Sequence, residues 1–478
     1  MDSFDLLIVG GGINGAAIAR DAAGRGLRVL LVEKDDLAAH TSSASSKLIH
    51  GGLRYLERFE FRLVRESLRE REVLLRTAPH IVRPLRFVLP DPPGGRPTWL
   101  LRAGLLLYDL LAGRGSLRGS RRVARVEAGL QAPLKAGFSL LSYWDAWTDD
   151  ARLVVLNALA AAEAGAAIAT RTELLAARRD GDRWIADLSG GRAVAARMIV
   201  NAAGPWVAEL LNDRLGAGSR SAVRLIRGSH IVVPRLWEGD HAYLLQQPDG
   251  RIVFALPFEG FSLIGTTDVP VRRPDQAAVA REEIEYLCAA ANAYFRRQIG
   301  PGETIWSYAG VRALYDDGSA EAKDITREYR LELDPADGAR LLSVFGGKIT
   351  TARALAEEAL AKLGSGGLST TASTPLPGGD WGDAAETRRR EAACWMPAQM
   401  LERMARSYGS RLDRVIGGAG SLADLGRHFG AGLHEAEVRY LVEAEFARTP
   451  DDILWRRTKL GLFTIAEERA ALRDFLGG

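Results

Sequence analysis

The feature that most constrains the fold is a unit at the start of the chain, where an apolar strand runs into a glycine-rich turn and a helix. The strand covers residues 4–9, and Gly10, Gly12 and Gly15 follow it. In a parallel β-α-β unit, such glycines allow a tight turn, backbone approach to a pyrophosphate, and close packing of helix on strand. Glu33 ends the next strand, about 20 residues on, where an acid accepts hydrogen bonds from a ribose. The unit predicts a dinucleotide-binding domain and leaves open whether the dinucleotide is FAD or NAD.

The composition is that of an ordinary soluble globular protein. The 478 residues are 47% hydrophobic and 26% charged, with a net charge of +3, and this length predicts two or three domains. The two cysteines, Cys288 and Cys394, predict no disulfide framework and fit a reducing compartment. We expect no signal peptide and no transmembrane helix, since no uninterrupted apolar segment reaches roughly 18 residues.

A basic region surrounds a short apolar stretch at residues 99–111. From Arg96 to Arg125 the chain has seven arginines and one acid, Asp109. A short apolar helix with Trp, Tyr and flanking arginines is typical of a segment that lies in a membrane interface. A buried helix followed by a solvated basic loop has the same pattern, and the sequence leaves both interpretations open.

Hydrophobic periodicity and turn residues predict the remaining elements. A charged amphipathic helix is expected from residue 57 to about 77, and Asp149 or Asp150 is expected to cap a helix over 151–164. Strand patterns in 223–268 predict an antiparallel sheet, and a helix is expected at about 280–297. Residues 364–379, with several Gly, Ser, Thr and Pro, predict a domain boundary, after which nearly every pattern is helical.

The second informative stretch is rich in serine and glycine, at residues 41–55. With seven other motifs it resembles the FAD-dependent, quinone-linked glycerol-3-phosphate dehydrogenases, of which the α-glycerophosphate oxidases are relatives. The resemblance covers residue 4 to about 360 and the final third of the chain. It rests on the motifs GGGINGAAIARDAAGRGL, TSSASSKLIHGGLRYLE, REREVL, RLIRGSHIVVP, GTTD, GVRAL, SVFGGKITT and ILWRRTKLGL.

This resemblance implies an α/β fold with a Rossmann-type FAD-binding domain of the glutathione-reductase-2/D-amino-acid-oxidase-like class. It also implies an antiparallel-sheet substrate domain and a C-terminal helical cap domain. We expect the FAD-binding domain to comprise 1–80, 145–222 and 335–365, the substrate domain 81–144 and 223–334, and the helical domain 380–478.

The resemblance also implies FAD as the cofactor, which makes NAD the unlikely dinucleotide. At Gly347 a glycine pair precedes a helix whose N-terminus would stabilise negative charge on the reduced flavin. The predicted cofactor-binding residues are Gly10, Gly12, Ile13, Asn14, Gly15, Glu33, Thr41, Ser42, Ser45, Ser46, Lys47, His50, Gly51, Gly204, Gly347, Lys348, Ile349 and Thr350.

The reaction of this family requires an anchored phosphate, a C2–H directed at the flavin, and removal of the C2 hydroxyl proton. Arg54, Arg312 and Lys348 lie in segments that resemble the family's active site, and we expect them to bind the phosphate and hydroxyls. Tyr55 is expected to hydrogen-bond the substrate. The predicted catalytic residues are His230, Arg312 and Lys348. The same three residues are also predicted to bind the substrate.

His230 is the first candidate for the general base, because a histidine can accept a proton near neutral pH. Two alternatives stay open: His230 as a core histidine bonded to backbone, and Arg312 as the residue that organises a water or hydroxide base. The remaining histidines show no metal-ligand spacing, so no metal is predicted. One departure from the family pattern is Ala313, where a proline is expected after the Gly-Val-Arg motif.

The resemblance implies glycerol 3-phosphate as substrate, a membrane quinone as electron acceptor, and a homodimer. It also implies a protein bound peripherally to the inner face of the cytoplasmic membrane, with no nucleic acid as partner. Three alternatives remain: an α-glycerophosphate oxidase that uses O2, an amino-acid-oxidase-like flavoenzyme, and an inactive flavin-binding scaffold.

Overall fold

The fold combines two β-sheets with a C-terminal group of helices. The computed structural model describes residues 1–91, 97–124, 126–217, 223–316, 328–334 and 338–477. The strands in this part of the chain are β1 (Asp2–Val9), β2 (Val29–Val32), β3 (Leu48–Ile49), β4 (Val82–Asp91), β5 (Arg121–Arg122), β6 (Ser139–Thr148), β7 (Ala167–Ala169), β8 (Leu174–Asp180), β9 (Arg183–Leu188), β10 (Arg192–Asn201), β11 (Val223–Val233), β12 (Ala242–Gln246), β13 (Ile252–Phe258), β14 (Phe261–Gly265), β15 (Val269–Val271), β16 (Trp306–Tyr315), β17 (Arg330–Leu333) and β18 (Arg340–Phe345).

The α-helices within the same ranges are mostly short. They are α1 (Ile13–Gly24), α2 (Leu53–Leu56), α3 (Phe61–Thr77), α4 (Thr98–Ala112), α5 (Ala128–Gln131), α6 (Asp150–Glu163), α7 (Val207–Glu209), α8 (Arg281–Asn292), α9 (Ala352–Lys362), α10 (Asp383–Ala392), α11 (Ala398–Tyr408), α12 (Leu412–Ile416), α13 (Glu435–Glu443) and α14 (Ala466–Gly477). Two further turns, Leu210–Arg214 and Asp452–Arg457, are π-helical.

The first sheet contains the N-terminal β-α-β unit. Its strands lie in the order β17-β18-β10-β1-β2-β7, and every neighbouring pair from β18 to β7 is parallel. Alternate residues of β1 face opposite sides, so Leu6 and Ile8 pack with residues of α1, α6 and α9, whereas Leu7 packs with Trp184 and its neighbours. Burial on both faces explains why β1 is a continuous apolar run. The carboxyl ends of these parallel strands form one wall of the site described below.

The second sheet is largely antiparallel. Its order is β15-β11-β14-β13-β12-β4-β6-β3, with β16 paired to β11 and β5 to β6, and only β4 and β12 run parallel among these pairs. α8 covers one face, where Leu287 packs with Ile231 and Val233. The antiparallel sheet predicted for residues 223–268 is confirmed.

The predicted domain boundaries remain a prediction. Those at 222 and 335 lie outside the described residues. Two short strands pair with the sheet of the other predicted segment: β3, from the 1–80 segment, pairs with β6, and β17, from the 223–334 segment, pairs with β18. Each sheet therefore contains one short strand from a segment that was predicted to belong to the other domain.

Buried ion pairs join the C-terminal part of the chain to α6 and to the segment that follows β2. Arg457 donates to both carboxylate oxygens of Asp36 at 2.6 and 2.8 Å, and both side chains are buried. Arg152 and Glu445 form a second buried pair. Losing one partner of either pair would leave an uncompensated buried charge.

The apolar segment at 99–111 forms α4, which lies on the surface. Only Leu105 and Tyr108 of this helix are buried, while Trp99 is 70% and Leu110 78% exposed. The interpretation as a buried helix is therefore wrong: α4 packs through Leu105, Tyr108 and partly buried neighbours, while its exposed large apolar side chains are Trp99, Leu100, Leu106 and Leu110. Among the described residues, no helix has both the length and the apolar character of a transmembrane span.

Candidate active site

A long cavity of about 410 Å³ lies between the two sheets, at the carboxyl ends of β1, β2 and β10. Ligands of open α/β sheets bind at this edge. Most of the predicted site residues line it: Gly10, Gly12, Ile13, Asn14, Glu33, Thr41, Ser42, Ser45, Ser46, His50, Tyr55, Gly204, His230, Arg312, Gly347, Lys348, Ile349 and Thr350. Residues from widely separated parts of the sequence thus share one surface.

The glycine turn is packed so tightly that it admits no side chains. Gly10 has φ of +115°, and a Cβ there would overlap the carbonyl oxygen of Ala202. Gly15 does not line the cavity, but a Cβ at Gly15 would overlap the carbonyl oxygen of Gly10, which agrees with its predicted packing role. At Gly12 a Cβ would lie 3.1 Å from the Ser42 hydroxyl. The turn therefore presents bare backbone to the cavity.

Glu33 is held at one end of the cavity by backbone donors. Its carboxylate accepts from the Gly11 N–H at 2.6 Å and from the Asp35 N–H at 2.9 Å, and burial raises its pKa. Glu33, Asp35 and His40 each bring one ligand-type atom within 4.8 Å of the others, a proximity that spacing did not reveal. Asp35 and His40 already hydrogen-bond each other at 2.8 Å, and the absence of a metal stays the prediction.

The serine-rich loop is anchored from outside the cavity. Asp150, at the start of α6, accepts from the Ser45 N–H at 3.1 Å and from the Ser45 hydroxyl at 2.7 Å. The same carboxylate pairs with the Lys47 amine, which lies 2.7 Å from its Oδ2 and is fully buried. Lys47 does not line the cavity, because its amine turns toward Asp150 and the Ser43 carbonyl; its predicted contact with the cofactor stays a prediction.

The cofactor contact predicted for Gly51 likewise stays a prediction. Gly51 does not line the cavity; its N–H donates to the Tyr108 hydroxyl of α4 at 2.8 Å. That hydroxyl donates in turn to the buried carboxylate of Asp145 at 2.8 Å. Gly51 is therefore a structural residue of the turn that leads to Tyr55. The side chain of Arg54, also predicted in this turn, lies outside the described part of the structure.

His230 lies on β11 with its ring fixed on three sides. Its Nε2 is 2.9 Å from the Ser46 hydroxyl, its ring stacks on Tyr308 with centroids 4.9 Å apart, and Gly265 lies against its edge. Burial, together with the charges of Lys47 and Arg312, holds the pKa of His230 well below its usual value. The His230 imidazole is thus neutral, lines the cavity and bonds the side chain of Ser46. This arrangement differs from the alternative left open by the sequence, a core histidine that hydrogen-bonds to backbone.

Two cations lie at the same end of the cavity. Arg312, on β16, donates to the Thr267 carbonyl at 2.8 Å and pairs with Asp268 at 2.8 Å. Lys348 places its amine 3.8 Å from the centre of the Tyr55 ring. The neutral imidazole of His230 and the cations Arg312 and Lys348 thus line the same cavity.

Several residues that build the cavity escaped the sequence analysis. Thr172 and Leu174 line the end near Glu33, and Lys34 stacks over Trp206 at 3.8 Å. Asp150 was predicted only as a possible helix cap, whereas Asp149 caps α6 by accepting from the Arg152 N–H at 3.1 Å. No local pattern signals these roles, since each depends on contacts across the fold.

Comparison with known proteins identifies the chain. Residues 5–360 match the family described as FAD dependent oxidoreductase, and residues 369–476 match the C-terminal domain of alpha-glycerophosphate oxidase. The chain belongs to this FAD-dependent oxidoreductase family. Its cofactor is FAD, and the predicted α/β class with a helical C-terminal domain is confirmed.

Full-length relatives extend the comparison. A glycerol-3-phosphate dehydrogenase of Pseudomonas aeruginosa is 51% identical, over 99% of this chain and 95% of the relative. A D-erythritol 1-phosphate dehydrogenase of Brucella abortus is 49% identical, over 99% of this chain and 98% of the relative. The structure is similar to that of the glycerol-3-phosphate dehydrogenase from Bacillus halodurans complexed with FAD, with a TM-score of 0.74 and 25% identity over 99% and 94% of the two chains.

The residues of the cavity fit FAD. The bare turn at Gly10 and Gly12 suits a pyrophosphate, and Glu33 suits the adenosine ribose. Near the other end, the Asn14 amide donates to the Gly346 carbonyl at 3.1 Å, while its buried Oδ1 has no hydrogen-bond partner among the described residues. Since buried oxygens need partners, a hydroxyl or ring N–H of FAD would satisfy this atom.

Proposed function

We propose that the protein oxidises sn-glycerol 3-phosphate to dihydroxyacetone phosphate, with FAD as the hydride acceptor. The observation that carries the proposal is the convergence of His230, Arg312 and Lys348 at one end of the FAD cavity. Two cations suit a phosphate better than the amine of an amino acid. The relatives named above also act on phosphorylated polyols.

FAD, when bound, supplies the two-electron acceptor for the C2 hydride. Arg312 and Lys348 bind the substrate phosphate and hydroxyls, and Tyr55 and Arg54 complete the substrate-binding set that we propose. Asp268 and the Thr267 carbonyl fix the Arg312 guanidinium, so little side-chain freedom is lost on binding.

His230 takes the proton of the C2 hydroxyl. Its lowered pKa keeps the imidazole neutral, which is the form a general base requires. The Ser46 hydroxyl at Nε2 holds the ring plane, and Tyr308 supports one face. A dianionic substrate beside the ring would raise the pKa of the imidazole and strengthen the base as the substrate binds.

Anaerobic bleaching of the flavin tests the proposal. The purified protein should be yellow and should lose the flavin colour on addition of glycerol 3-phosphate, with dihydroxyacetone phosphate as the product. An inactive scaffold would stay yellow. Bleaching by an amino acid and not by glycerol 3-phosphate would instead assign an amino-acid-oxidase-like activity.

A second candidate substrate is D-erythritol 1-phosphate. The Brucella abortus relative favours this substrate, because its sequence is 49% identical to this chain, against 51% for the glycerol-3-phosphate dehydrogenase of Pseudomonas aeruginosa. Both substrates share a phosphate and a secondary alcohol, so the same cations and base serve both. Comparing kcat/KM for the two phosphates decides between them, and a higher value for the erythritol compound would replace our first choice.

We propose a quinone as the physiological electron acceptor, with O2 as the alternative that would make the protein an oxidase. Reoxidation of the reduced protein, followed by stopped flow, separates the two. Fast reoxidation by a soluble quinone with slow peroxide formation supports the dehydrogenase. Fast peroxide formation would contradict it.

We also propose peripheral association with an anionic membrane surface, at the inner face of the cytoplasmic membrane. The exposed apolar face of α4 includes Trp99, Leu106 and Leu110, and exposed arginines such as Arg102 and Arg114 flank it. This is the pattern of a helix that inserts shallowly among headgroups. The double variant Leu106→Glu and Leu110→Glu should lose co-sedimentation with anionic vesicles, whereas Leu368→Glu, at another exposed leucine, should retain it.

The predicted homodimer stays a proposal from the family resemblance. Light scattering of the purified protein in detergent gives its mass directly. A monomer mass would overturn that part of the prediction without affecting the proposed chemistry.

A further inference from the structure

The ILWRRTKLGL motif lies in the C-terminal part of the chain, at residues 453–462, far in sequence from the FAD-binding segments. All of its residues are described, and none of them lines the FAD cavity. The motif nevertheless packs behind the site. Its Lys459 amine lies 3.0 Å from Asp149, directly before Asp150, the carboxylate that anchors the serine-rich loop. The motif therefore contacts the residues that support the site rather than the cavity itself.

Trp455 of this motif ends a row of aromatic rings that begins in the cavity. Its ring stacks on Trp306 of β16, with centroids 4.6 Å apart. Trp306 contacts Tyr308 at 4.8 Å, because side chains at alternate positions of a strand share one face. Tyr308 stacks in turn on His230, its register partner on β11, at 4.9 Å. Successive ring contacts therefore connect the C-terminal part of the chain to the imidazole.

The rings of this row are held from both sides. A Cβ at Gly461 would lie 2.5 Å from the Trp455 ring, so the backbone of the motif lies directly against that ring. At the other side, the Tyr308 hydroxyl donates to the Ser45 carbonyl at 2.8 Å. Since neighbouring aromatic rings prefer offset or edge-on geometries, a fixed Trp455 restricts the tilt of Trp306 and, through it, of Tyr308.

The imidazole of His230 depends on packing for its orientation. Among the described residues, its buried Nδ1 has no hydrogen-bond partner, whereas Nε2 lies 2.9 Å from the Ser46 hydroxyl. One hydrogen bond fixes the position of a ring nitrogen and leaves the plane of the ring to its packing neighbours. Those neighbours are Tyr308, against one face, and Gly265, against one edge. The angle of proton transfer to the imidazole therefore depends on where Tyr308 lies.

We propose that Trp455 is a positioning residue for the oxidation, because through Trp306 and Tyr308 it sets the plane of the His230 imidazole. The inference rests on the proposed function, in which His230 takes the proton of the C2 hydroxyl. The C-terminal part of the chain thus contributes to the rate of the reaction without placing a side chain of this motif in the FAD cavity.

Trp455→Leu tests this role, because it keeps an apolar side chain and removes the ring. Flavin content should stay normal. The rate constant of anaerobic flavin reduction by glycerol 3-phosphate should fall on the order of tenfold, since a misplacement of about 1 Å can cost about 100-fold. The Kd of the substrate should stay within about twofold, because Arg312 and Lys348 remain to bind the phosphate. Trp455→Phe, which keeps a ring, should restore most of the rate.

Trp395→Leu is the matched control. Trp395 is also a half-buried tryptophan of the C-terminal part of the chain, and it packs on the core of those helices rather than on Trp306. Its replacement removes a ring of the same size, so it reports what a loss of packing alone does to the reaction. Trp395→Leu should reduce its flavin at the rate of the unmodified protein. Equal rate constants in Trp395→Leu and Trp455→Leu would overturn the inference.

A double-mutant cycle with His230→Gln separates positioning from a general loss of structure. Without the imidazole there is no ring for Trp455 to orient, so Trp455→Leu should lower the remaining rate by less than about twofold. A loss of about tenfold in both backgrounds would overturn the inference, because independent effects add. Failure of glycerol 3-phosphate to bleach the flavin of the unmodified protein would instead overturn the proposed function, whatever the variants show.

Discussion

The two ends of the FAD cavity are built in different ways. Near Glu33, the glycine turn of the first β-α-β unit contributes bare backbone, beside side chains such as Thr172 and Leu174 from later in the chain. Near His230, Arg312 and Lys348, the lining consists of side chains from separate parts of the chain. The shape of the first end requires glycines, which have no side chains, in the turn. The second end requires charged and polar side chains whose positions are fixed by residues far away in the sequence.

This difference teaches how the two ends respond to change. At the backbone end, one added carbon at Gly10 or Gly15 overlaps neighbouring backbone, so the turn that faces the cofactor must shift. At the side-chain end, the cavity keeps its shape when a charge is lost, but the chemistry suffers. Cofactor retention and catalysis are therefore separable by substitution, and the predictions below test that separation.

The largest effect is expected at Gly10. Gly10→Ala would place a Cβ on the Ala202 carbonyl oxygen, at φ of +115°, so the turn must shift and FAD should be lost. The purified variant should be colourless, as measured by flavin content per protein. Gly24→Ala, where a Cβ meets nothing within 4 Å, is the matched control and should bind FAD normally. A yellow Gly10→Ala protein would contradict the tight-turn account.

Asp150→Asn should have the next largest effect. It leaves the fully buried Lys47 amine without its carboxylate, and breaking one side of a buried pair costs about 3–5 kcal/mol. Denaturant unfolding at pH 7.5 measures the loss. Asp182→Asn, at a largely exposed carboxylate, should change the free energy of unfolding by no more than about 0.5 kcal/mol. Equal small losses in both variants would mean that the pair does not hold the serine-rich loop.

Arg312→Gln should separate chemistry from cofactor binding. Removing one positioned donor of this kind costs roughly 10²–10³-fold in rate, so kcat/KM for glycerol 3-phosphate should fall by about that factor. Flavin content should remain normal. Arg272→Gln, at an exposed arginine outside the cavity, should stay within about twofold. Loss of FAD from Arg312→Gln would break the proposed division between the two ends.

The smallest effect is a pH dependence at His230. Its folded pKa is lowered, so the unfolded chain takes up a proton below about pH 6.5 that the folded protein does not. The unmodified protein should therefore lose stability relative to His230→Gln as the pH falls from 7.5 to 5.5, by up to about 1.4 kcal/mol. Denaturant unfolding of both proteins at the two pH values measures the difference. A constant difference would mean that His230 is not held neutral by burial.

Local patterns predicted the backbone end of the cavity well. β1, the glycine turn, α1 and β2 lie where the sequence indicates, because strand, turn and helix signals follow one another within the first 33 residues. The capped helix at 151–164 appears as α6 for the same reason. The helix predicted from residue 57 begins at Phe61 instead, after Phe59 adopts a φ of +59° that interrupts the helical path.

The side-chain end was harder to predict. Lys47 and Gly51 lie within a motif predicted to contact the cofactor, yet the Lys47 amine pairs with Asp150 and the Gly51 N–H donates to Tyr108. Side-chain direction there is set by tertiary contacts that no local spacing encodes. The same limit applies to α4, whose apolar composition left a buried and an interfacial helix equally open, although only Leu105 and Tyr108 are buried.

The most direct test of the central claim is the rate of anaerobic flavin bleaching with glycerol 3-phosphate deuterated at C2. If the C2 hydrogen passes as a hydride, bleaching by the deuterated substrate should be several-fold slower than by the normal substrate. The same effect should persist in Arg312→Gln, at a much lower rate. Bleaching that is equally fast with both substrates, or no bleaching at all, would contradict the account.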